Sequence, residues 1–316
     1  MDIRQMEYII KISEECCISR AAKKLFITQS ALNQQLLKLE KELGVKLFQR
    51  TERNMILTQA GEIYISNARE IVKIKEETYR RIHDMADKIK GKLSVGLLPE
   101  RGAVIFSAIY PDFYSKYPDI RIIPTEQNVK DQLKGIDNGD LDIGIVTVRD
   151  QHKEGNQFIH ICNEEFLLVV PVNHPLAYLG SSYPGPYPSI ALDQFKNDPF
   201  LLVHRSSTMR DIVDDFFIRE GLNPNILIES LRCQTLLTLA EQGLGCTILP
   251  SCYIKDSDRV VYFSLPAPNQ WEIAVAYRKG GYLSVAEKEI IHLIRQYFIN
   301  LESTKGPFVS YLNSDR

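Results

Sequence analysis

Between Ile18 and Gly44 the chain reads ISRAAKKLFITQSALNQQLLKLEKELG, and its leucines restrict what this stretch can become. Leu32, Leu36, Leu39 and Leu43 recur at spacings of four, three and four, which draws one narrow apolar stripe along a helix. Thr28 is placed to cap that helix and Gly44 to stop it. Upstream, Ser19 is placed to cap a shorter helix through Leu25, in which the small Ala21 and Ala22 let a neighbouring helix approach closely. Opposite the stripe, at roughly 100° of turn per residue, lie Ser30, Asn33, Gln34 and Lys41, with Gln29 at the exposed N-terminus.

Two short helices joined by a tight turn, the second with an amide-rich outer face, read as a helix-turn-helix. Amide and hydroxyl side chains hydrogen-bond base edges in the major groove. An ordinary helical pair with a solvated face carries the same stripe, so the neighbouring segments have to decide. Asp2 to Glu14 sets Ile3, Met6, Ile9, Ile10 and Ser13 along one side, predicting a supporting helix. From Val45 to Thr58, apolar Leu47, Phe48, Met55, Ile56 and Leu57 flank the turn-prone Glu52-Arg53-Asn54. That is the pattern of a small β-wing, which brings Arg50 and Arg53 near phosphates.

Charge agrees with this division. The whole chain is formally −2, yet residues 1–57 carry ten Lys or Arg against seven Asp or Glu. A mildly basic head on an acidic body suits a module that touches DNA joined to one that does not.

Thr58 opens a long helical stretch with Glu62 in its first turn. Ile71, Ile74, Thr78, Ile82, Met85 and Ile89 follow a period near 3.5, as in a coiled-coil seam. Such a seam calls for a partner, and a homodimer would present two reading helices to a two-fold symmetric operator. Gly91 is the predicted end of this helix and the hinge to the body.

Beyond Lys92 the pattern changes. Strand-like KLSVGLLP, IRIIPTE, DIGIV and EEFLLVVPV alternate with helices near Val104 to Lys116 and Val129 to Asn138. FLLVH, a helix from Met209 to Glu220, ILIES, a helix from Cys233 to Gln242, and CTILP repeat the alternation. Val260 to Leu265, EIAVAYR and a helix from Ser284 to Leu301 close it. Alternation of this kind predicts a parallel sheet with helices on its faces. The cluster LGSSYPGPYPS reads as a surface loop.

In order and density, MDIRQMEYIIKI, SRAAKKL, ITQSALNQQLLKLEKELGVKLFQR and LTQAGE resemble the winged helix-turn-helix of the LysR-type transcriptional regulators. Ser30 stands where that family usually has proline, and Asn33 where it usually has serine, which affects the operator and not the fold. Further on, VGLLP, GDLDIGIV and QGLGCTILPS resemble landmarks of the family's effector-binding body, two α/β subdomains of the periplasmic-binding-protein type.

The resemblance implies a winged helix-turn-helix over residues 1–57, a linker and dimerisation helix over 58–91 and subdomain I over 92–163 and 267–302. Subdomain II then covers 164–266, and 303–316 is a tail. It implies DNA contacts by Ser19, Thr28, Gln29, Ser30, Asn33, Gln34, Lys38, Arg50 and Arg53. Implied partners are double-stranded promoter DNA, a small-molecule effector, RNA polymerase and further copies of the chain, as a dimer through the linker helix or a tetramer.

Small molecules in open α/β sheets bind beyond the carboxyl ends of strands. That rule selects Glu100, Arg101, Asn128, Thr147 and the run Ser206, Ser207, Thr208, which opens a helix whose free N–H groups favour an anion. Ser-Ser-Thr is equally an ordinary N-cap. Glu100 departs from the small polar residue frequent there, and a carboxylate facing a helix N-terminus would suit an amino acid; a simple organic acid fits equally well.

The six cysteines, Cys16, Cys17, Cys162, Cys233, Cys246 and Cys252, show no metal-ligand spacing with the six histidines. They read as reduced core thiols. In the peroxide-sensing branch of the family the reactive cysteine precedes Leu-Arg-Asp; here Thr208 holds that place before Met209, Arg210 and Asp211. No G-x-S-x-G elbow, Walker loop, G-x-G-x-x-G fingerprint or H-E-x-x-H occurs, so neither an enzyme nor a resident cofactor is expected. Nor is there a long apolar run, and charged Asp2 and Arg4 at the start are unlike a secretory leader, so a cytoplasmic protein without membrane contact is expected. The other reading that the sequence leaves open is a DNA-binding protein whose body serves assembly and takes no ligand.

Overall fold

Asp2 accepts the Arg4 N–H at 3.2 Å and so starts helix α1 (Ile3–Glu15). The computed structural model describes residues 2–51, 54–86, 89–149, 153, 155–305 and 309–310. It divides into two units, residues 1–90 with 137–140, and 91–136 with 141–316.

In the first unit α1 is followed by α2 (Ile18–Lys24) and α3 (Gln29–Leu43). Strands β1 (Phe48–Arg50) and β2 (Met55–Leu57) pair antiparallel, Phe48 opposite Leu57. Helix α4 (Gln59–Met85) ends the unit's regular structure. Leu32, Leu36 and Leu39 are buried against Ile9, Ile12, Ala21, Ala22, Leu47 and Ile65. At roughly 25 cal/mol per Å² of apolar surface, this stripe supplies most of the drive to pack α3.

Thr58 shows how the wing is fixed. Its hydroxyl accepts the Gly61 N–H at 3.0 Å, capping α4, and donates to Lys46 O at 2.7 Å. Gly61 then lies so close to the wing that a Cβ on it would stand 2.1 Å from Leu47 O.

The second unit is a mixed sheet with helices. It runs through β3 (Gly91–Leu97), α5 (Arg101–Lys116), β4 (Ile120–Glu126), α6 (Val129–Asn138), β5 (Ile143–Val148) and β6 (Gln157–Pro171). Next come β7 (Pro199–Val203), α7 (Thr208–Arg219), β8 (Asn225–Ser230), α8 (Cys233–Glu241), β9 (Thr247–Pro250) and β10 (Val260–Ser264). Finally β11 (Gln270–Tyr277), α9 (Val285–Lys305) and β12 (Val309–Ser310) complete it. Strand β3 is parallel to β4 and β5, whereas β11 is antiparallel to β5 and β6. Between Glu165 and Phe166, β6 changes company: its first part pairs with β11 and its last part with β9 and β10. Beyond that point, β7 and β8 pair in parallel over a large apolar core.

Several expectations are corrected. Ser19 does not cap α2; Cys17 precedes the helix without a side-chain cap, and Ser19 lies inside it. Leu43 is 41% exposed, on a groove that it lines with Met6, Ile63 and Tyr64. On α1 the buried set is Gln5, Met6, Ile9 and Ile12, so Ile12 replaces the expected Ser13. Helix α4 stops at Met85, and Ile89 is not helical; Gly91, with φ 141°, opens β3 instead of closing a helix. The sheet is mixed and not parallel throughout, since the chain returns through β11 in the reverse direction. Strand β6 begins at Gln157, ahead of the expected EEFLLVVPV, and α5 begins at Arg101 rather than Val104.

Candidate functional site

In the first unit the candidate surface is the outer face of α3. Thr28 caps the helix, its hydroxyl accepting the Ala31 N–H at 3.2 Å and lying 3.1 Å from Ser30 Oγ. Gln29, Ser30, Gln34 and Lys38 are exposed and Asn33 is half-buried, while the leucines face the core. Asn33 Oδ1 accepts a hydrogen bond from the Arg50 guanidinium, so helix and wing are joined at their outer surfaces. Ser19 is exposed on α2. Arg53 lies outside the described residues. The exposed side chains of α3, with Arg50 bonded to Asn33, therefore form a polar, cation-edged surface of the kind that meets phosphates and base edges.

Sequence reasoning missed Glu40. It sits in a run that reads as solvent-facing, yet it is buried: Oε1 accepts the N–H groups of Leu47 and Phe48 at 2.9 and 3.3 Å, and Oε2 pairs with Lys46 at 2.8 Å. Three hydrogen bonds to one carboxylate lock the strand entering the wing against the reading helix.

In the second unit, Glu100, Arg101, Asn128, Thr147, Ser206, Ser207 and Thr208 all line one cavity of about 460 Å³. That volume lies within the range of small-molecule sites. Apolar Leu98, Val129, Val203, Met209, Leu231 and Trp271 complete much of its wall. Helices α5, α6, α7 and α8 all begin at it.

The individual side chains differ in what they have to offer. Asn128 Oδ1 accepts the Asp131 N–H at 2.9 Å, capping α6, and its Nδ2 donates to Asp131 Oδ2 at 2.7 Å. Ser207 Oγ accepts the Met209 N–H at 3.3 Å, capping α7; Ser206 Oγ lies 2.9 Å from His204 Nδ1. Arg101 is turned to Glu164, to which its Nη1 donates, with its guanidinium 5.4 Å from the Phe298 ring centroid. Its charge is thereby neutralised locally. Glu100 lines the same cavity as the α7 N-terminus, and one of its carboxylate oxygens is engaged, Oε2 accepting the Cys233 N–H of α8 at 3.1 Å.

Glu164, also missed, is the buried centre behind the cavity. Oε2 accepts from Arg101 and from Trp271 Nε1 (2.7 Å), and Oε1 accepts the Cys252 N–H at 3.0 Å. In sequence it is half of a Glu164-Glu165 pair that reads as surface.

All six cysteines are free, and the expectation of core thiols fails for Cys16, which is exposed. Burial pushes the Cys233 and Cys246 thiols up to about 12. Cys17 moves the other way, held below the usual thiol range by its hydrogen bond with Ser19.

The polar outer face of α3 and the cavity of the second unit are the features of a nucleic-acid-binding head joined to a ligand-binding body. Comparison with known proteins agrees: residues 3–62 match "Bacterial regulatory helix-turn-helix protein, lysR family" and residues 86–299 match "LysR substrate binding domain". The chain belongs to the LysR family of DNA-binding transcriptional regulators, and its second match is that family's effector-binding domain. It is 26% identical over 307 residues to the uncharacterized HTH-type transcriptional regulator YcgK of Bacillus subtilis (strain 168), covering 94% of each chain. Its fold is similar to that of a full-length OxyR variant from Pseudomonas aeruginosa, with a TM-score of 0.71 at 22% identity over 93% of this chain and 95% of that one. It is also similar to full-length CbnR complexed with its target DNA, with a TM-score of 0.57 at 22% identity over 94% of this chain and 99% of that one.

Proposed function

We propose that α3 reads operator DNA through Gln29, Ser30, Asn33 and Gln34, with Thr28, Ser19, Lys38, Arg50 and Arg53 on flanking phosphates. The observation that carries this is the split of α3: Leu32, Leu36 and Leu39 buried, Ser30 and Gln34 exposed beside a wing whose Arg50 is bonded to Asn33. CbnR, a structural relative, is known with its target DNA bound. Sequencing the genomic fragments retained by the purified protein tests the reading; a random set of fragments would end it.

The cavity is the effector site, lying between subdomain I (92–163 and 267–302) and subdomain II (164–266), with β6 crossing from one to the other. Its contacts are Glu100, Arg101, Asn128, Thr147, Ser206, Ser207 and Thr208, and its effector is a small molecule, with an amino acid as one candidate. Effector binding changes the angle between the subdomains, and so the spacing of reading heads, by as much as its affinity differs between the two arrangements. The protein works in the cytoplasm as a homo-oligomer, a dimer through α4 and a tetramer above that, and acts on RNA polymerase at the promoter. Screening the full chain against a metabolite library by thermal shift tests the effector, since a ligand at 100 times its dissociation constant adds about 2.7 kcal/mol.

A further inference from the structure

Glu100 decides the charge of what the cavity can hold. Its backbone forms a γ-turn, with φ 60° and ψ −68° and the Arg101 N–H donating to Pro99 O at 2.7 Å. Such a conformation is strained for a residue with a side chain, and strain of this kind gathers at ligand clamps. The bend delivers the carboxylate to the N-terminus of α8, where Oε2 accepts the Cys233 N–H at 3.1 Å and the Tyr253 hydroxyl at 3.4 Å. Burial pushes the Tyr253 phenol well up, so it stays protonated and donates. Arg232, at the N-cap of α8, supplies no side-chain bond of its own.

Helix N-termini ordinarily attract anions. Here the chain already takes one N–H at three of the four that reach the cavity, through Asn128 on α6, Ser207 on α7 and Glu100 on α8. Among the described residues the charged side chains lining the cavity are Glu100, Glu126, Asp131 and Arg101. Arg101 is the one cation among them, and Glu164 holds it. Glu100 Oε1 and the Glu126 carboxylate, by contrast, have no hydrogen-bond partner among the described residues.

A separate observation points to a ligand. Thr147 lines the cavity at 6% exposure, and its hydroxyl bonds to no described residue. That hydroxyl is open to a hydrogen bond from a molecule in the cavity. Trp271 and Tyr253 supply aromatic wall, which favours a cation over an anion.

Resting on the reading of this cavity as the effector site, we infer that it takes a molecule with a protonated amine on an apolar body. Glu100 Oε1 and Glu126 accept from the ammonium, Thr147 bonds beside them, and carboxylates without an amine are rejected because the free charges are all negative.

Calorimetric titration of the full chain with two charge-matched pairs tests this: 2-phenylethylamine against 3-phenylpropionate, and hexylamine against hexanoate. Each amine should bind about tenfold or more tightly than its acid, the margin of one charge-assisted hydrogen bond. Glu100→Gln keeps an acceptor for the Cys233 N–H and should weaken amine binding by the same factor. Should that variant unfold, Glu126→Gln, at an exposed position, gives the same reading. Acids binding more tightly than amines would overturn the inference while leaving an effector cavity in place. Wild-type amine affinity in both variants would overturn it too. Silence from all four probes removes the amine assignment, and a metabolite library without hits would then remove the effector reading as well.

Discussion

The indole N–H of Trp271 donates to Glu164 at 2.7 Å, where Glu164 has no exposed surface and β6 is about to exchange β11 for β9 and β10. The same carboxylate holds Arg101 at the start of α5 and the Cys252 N–H just after β9. One buried anion therefore ties both parts of the sheet to the cavity wall.

Glu164→Ala should cost about 3–5 kcal/mol, because it strands a guanidinium whose side chain is 10% exposed. Urea denaturation measures this. Glu164→Leu combined with Arg101→Met should recover much of the loss, since a buried pair replaced by apolar groups is often neutral. A loss below about 1 kcal/mol in the single variant, the scale of an ordinary surface pair, would show that Glu164 does not hold the wall.

The path from sequence to this arrangement was open in some places and closed in others. Periodicity gave the three helices of the head and the order of strands in the body, because a buried stripe must repeat with its element's period. It could not give Glu40 or Glu164. A carboxylate between lysines, or beside another glutamate, looks solvated, and what buries it is chain arriving from elsewhere: Leu47 and Phe48 in one case, Trp271 and Arg101 in the other. Nor could it end α4, because no stop residue stands between Met85 and Gly91. The cavity residues were legible from position alone, as residues just past strands. Their chemistry was not: Arg101 and Glu100 both looked available, and hydrogen bonding takes up the guanidinium and one carboxylate oxygen.

On the reading head, Gln34→Ala should relax preference at one operator position by about 1–3 kcal/mol, because Gln34 is exposed and its side chain can reach a base edge. Arg53→Ala should weaken every sequence alike and lower the salt slope by about one. Arg50→Ala should do both, since it removes a cation and releases Asn33. Binding titrations on operator and scrambled duplexes at several salt concentrations separate the three. Uniform loss in Gln34→Ala would mean that α3 is turned the other way.

Along α4, Ile74, Ile82 and Met85 are 56%, 54% and 87% exposed in the single chain. An apolar row of this kind calls for a partner. Ile74→Asp with Ile82→Asp should shift sedimentation toward the monomer and weaken operator binding. Each should change the stability of the single chain by no more than about 0.5 kcal/mol, as expected of surface positions. An unchanged sedimentation profile would place the subunit contact elsewhere.

The thiols give a chemical prediction. With Cys233 and Cys246 pushed up to about 12, almost no thiolate exists at neutral pH, and alkylation requires the thiolate. Iodoacetamide at about pH 8, near the pKa of a free thiol, should label Cys16 and Cys17 in the folded protein and reach the other two only after denaturation. Mass spectrometry reads the sites. Rapid labelling of Cys233 in the native state would mean that its side chain is exposed far beyond the 7% seen here.

Gly61 supplies the sharpest test of the joint between wing and α4. Thr58 caps α4 and binds Lys46 O, and the Thr58 N–H donates to Leu47 O at 3.0 Å. That carbonyl therefore lies against the first turn of the helix, leaving no room for a methyl group at Gly61, whose Cβ would stand 2.1 Å from it. A backbone oxygen cannot swing aside as a side chain can. Gly61→Ala must displace the strand entering the wing, against the gain that alanine normally brings to a helix interior. The net effect should be a loss of about 1–3 kcal/mol in denaturation of the head, together with weaker operator binding through the displaced Arg50. Thr58→Ala removes the cap without the clash and should cost about 1 kcal/mol. If Gly61→Ala proved as stable as wild type, the close approach of Leu47 to α4 would be refuted.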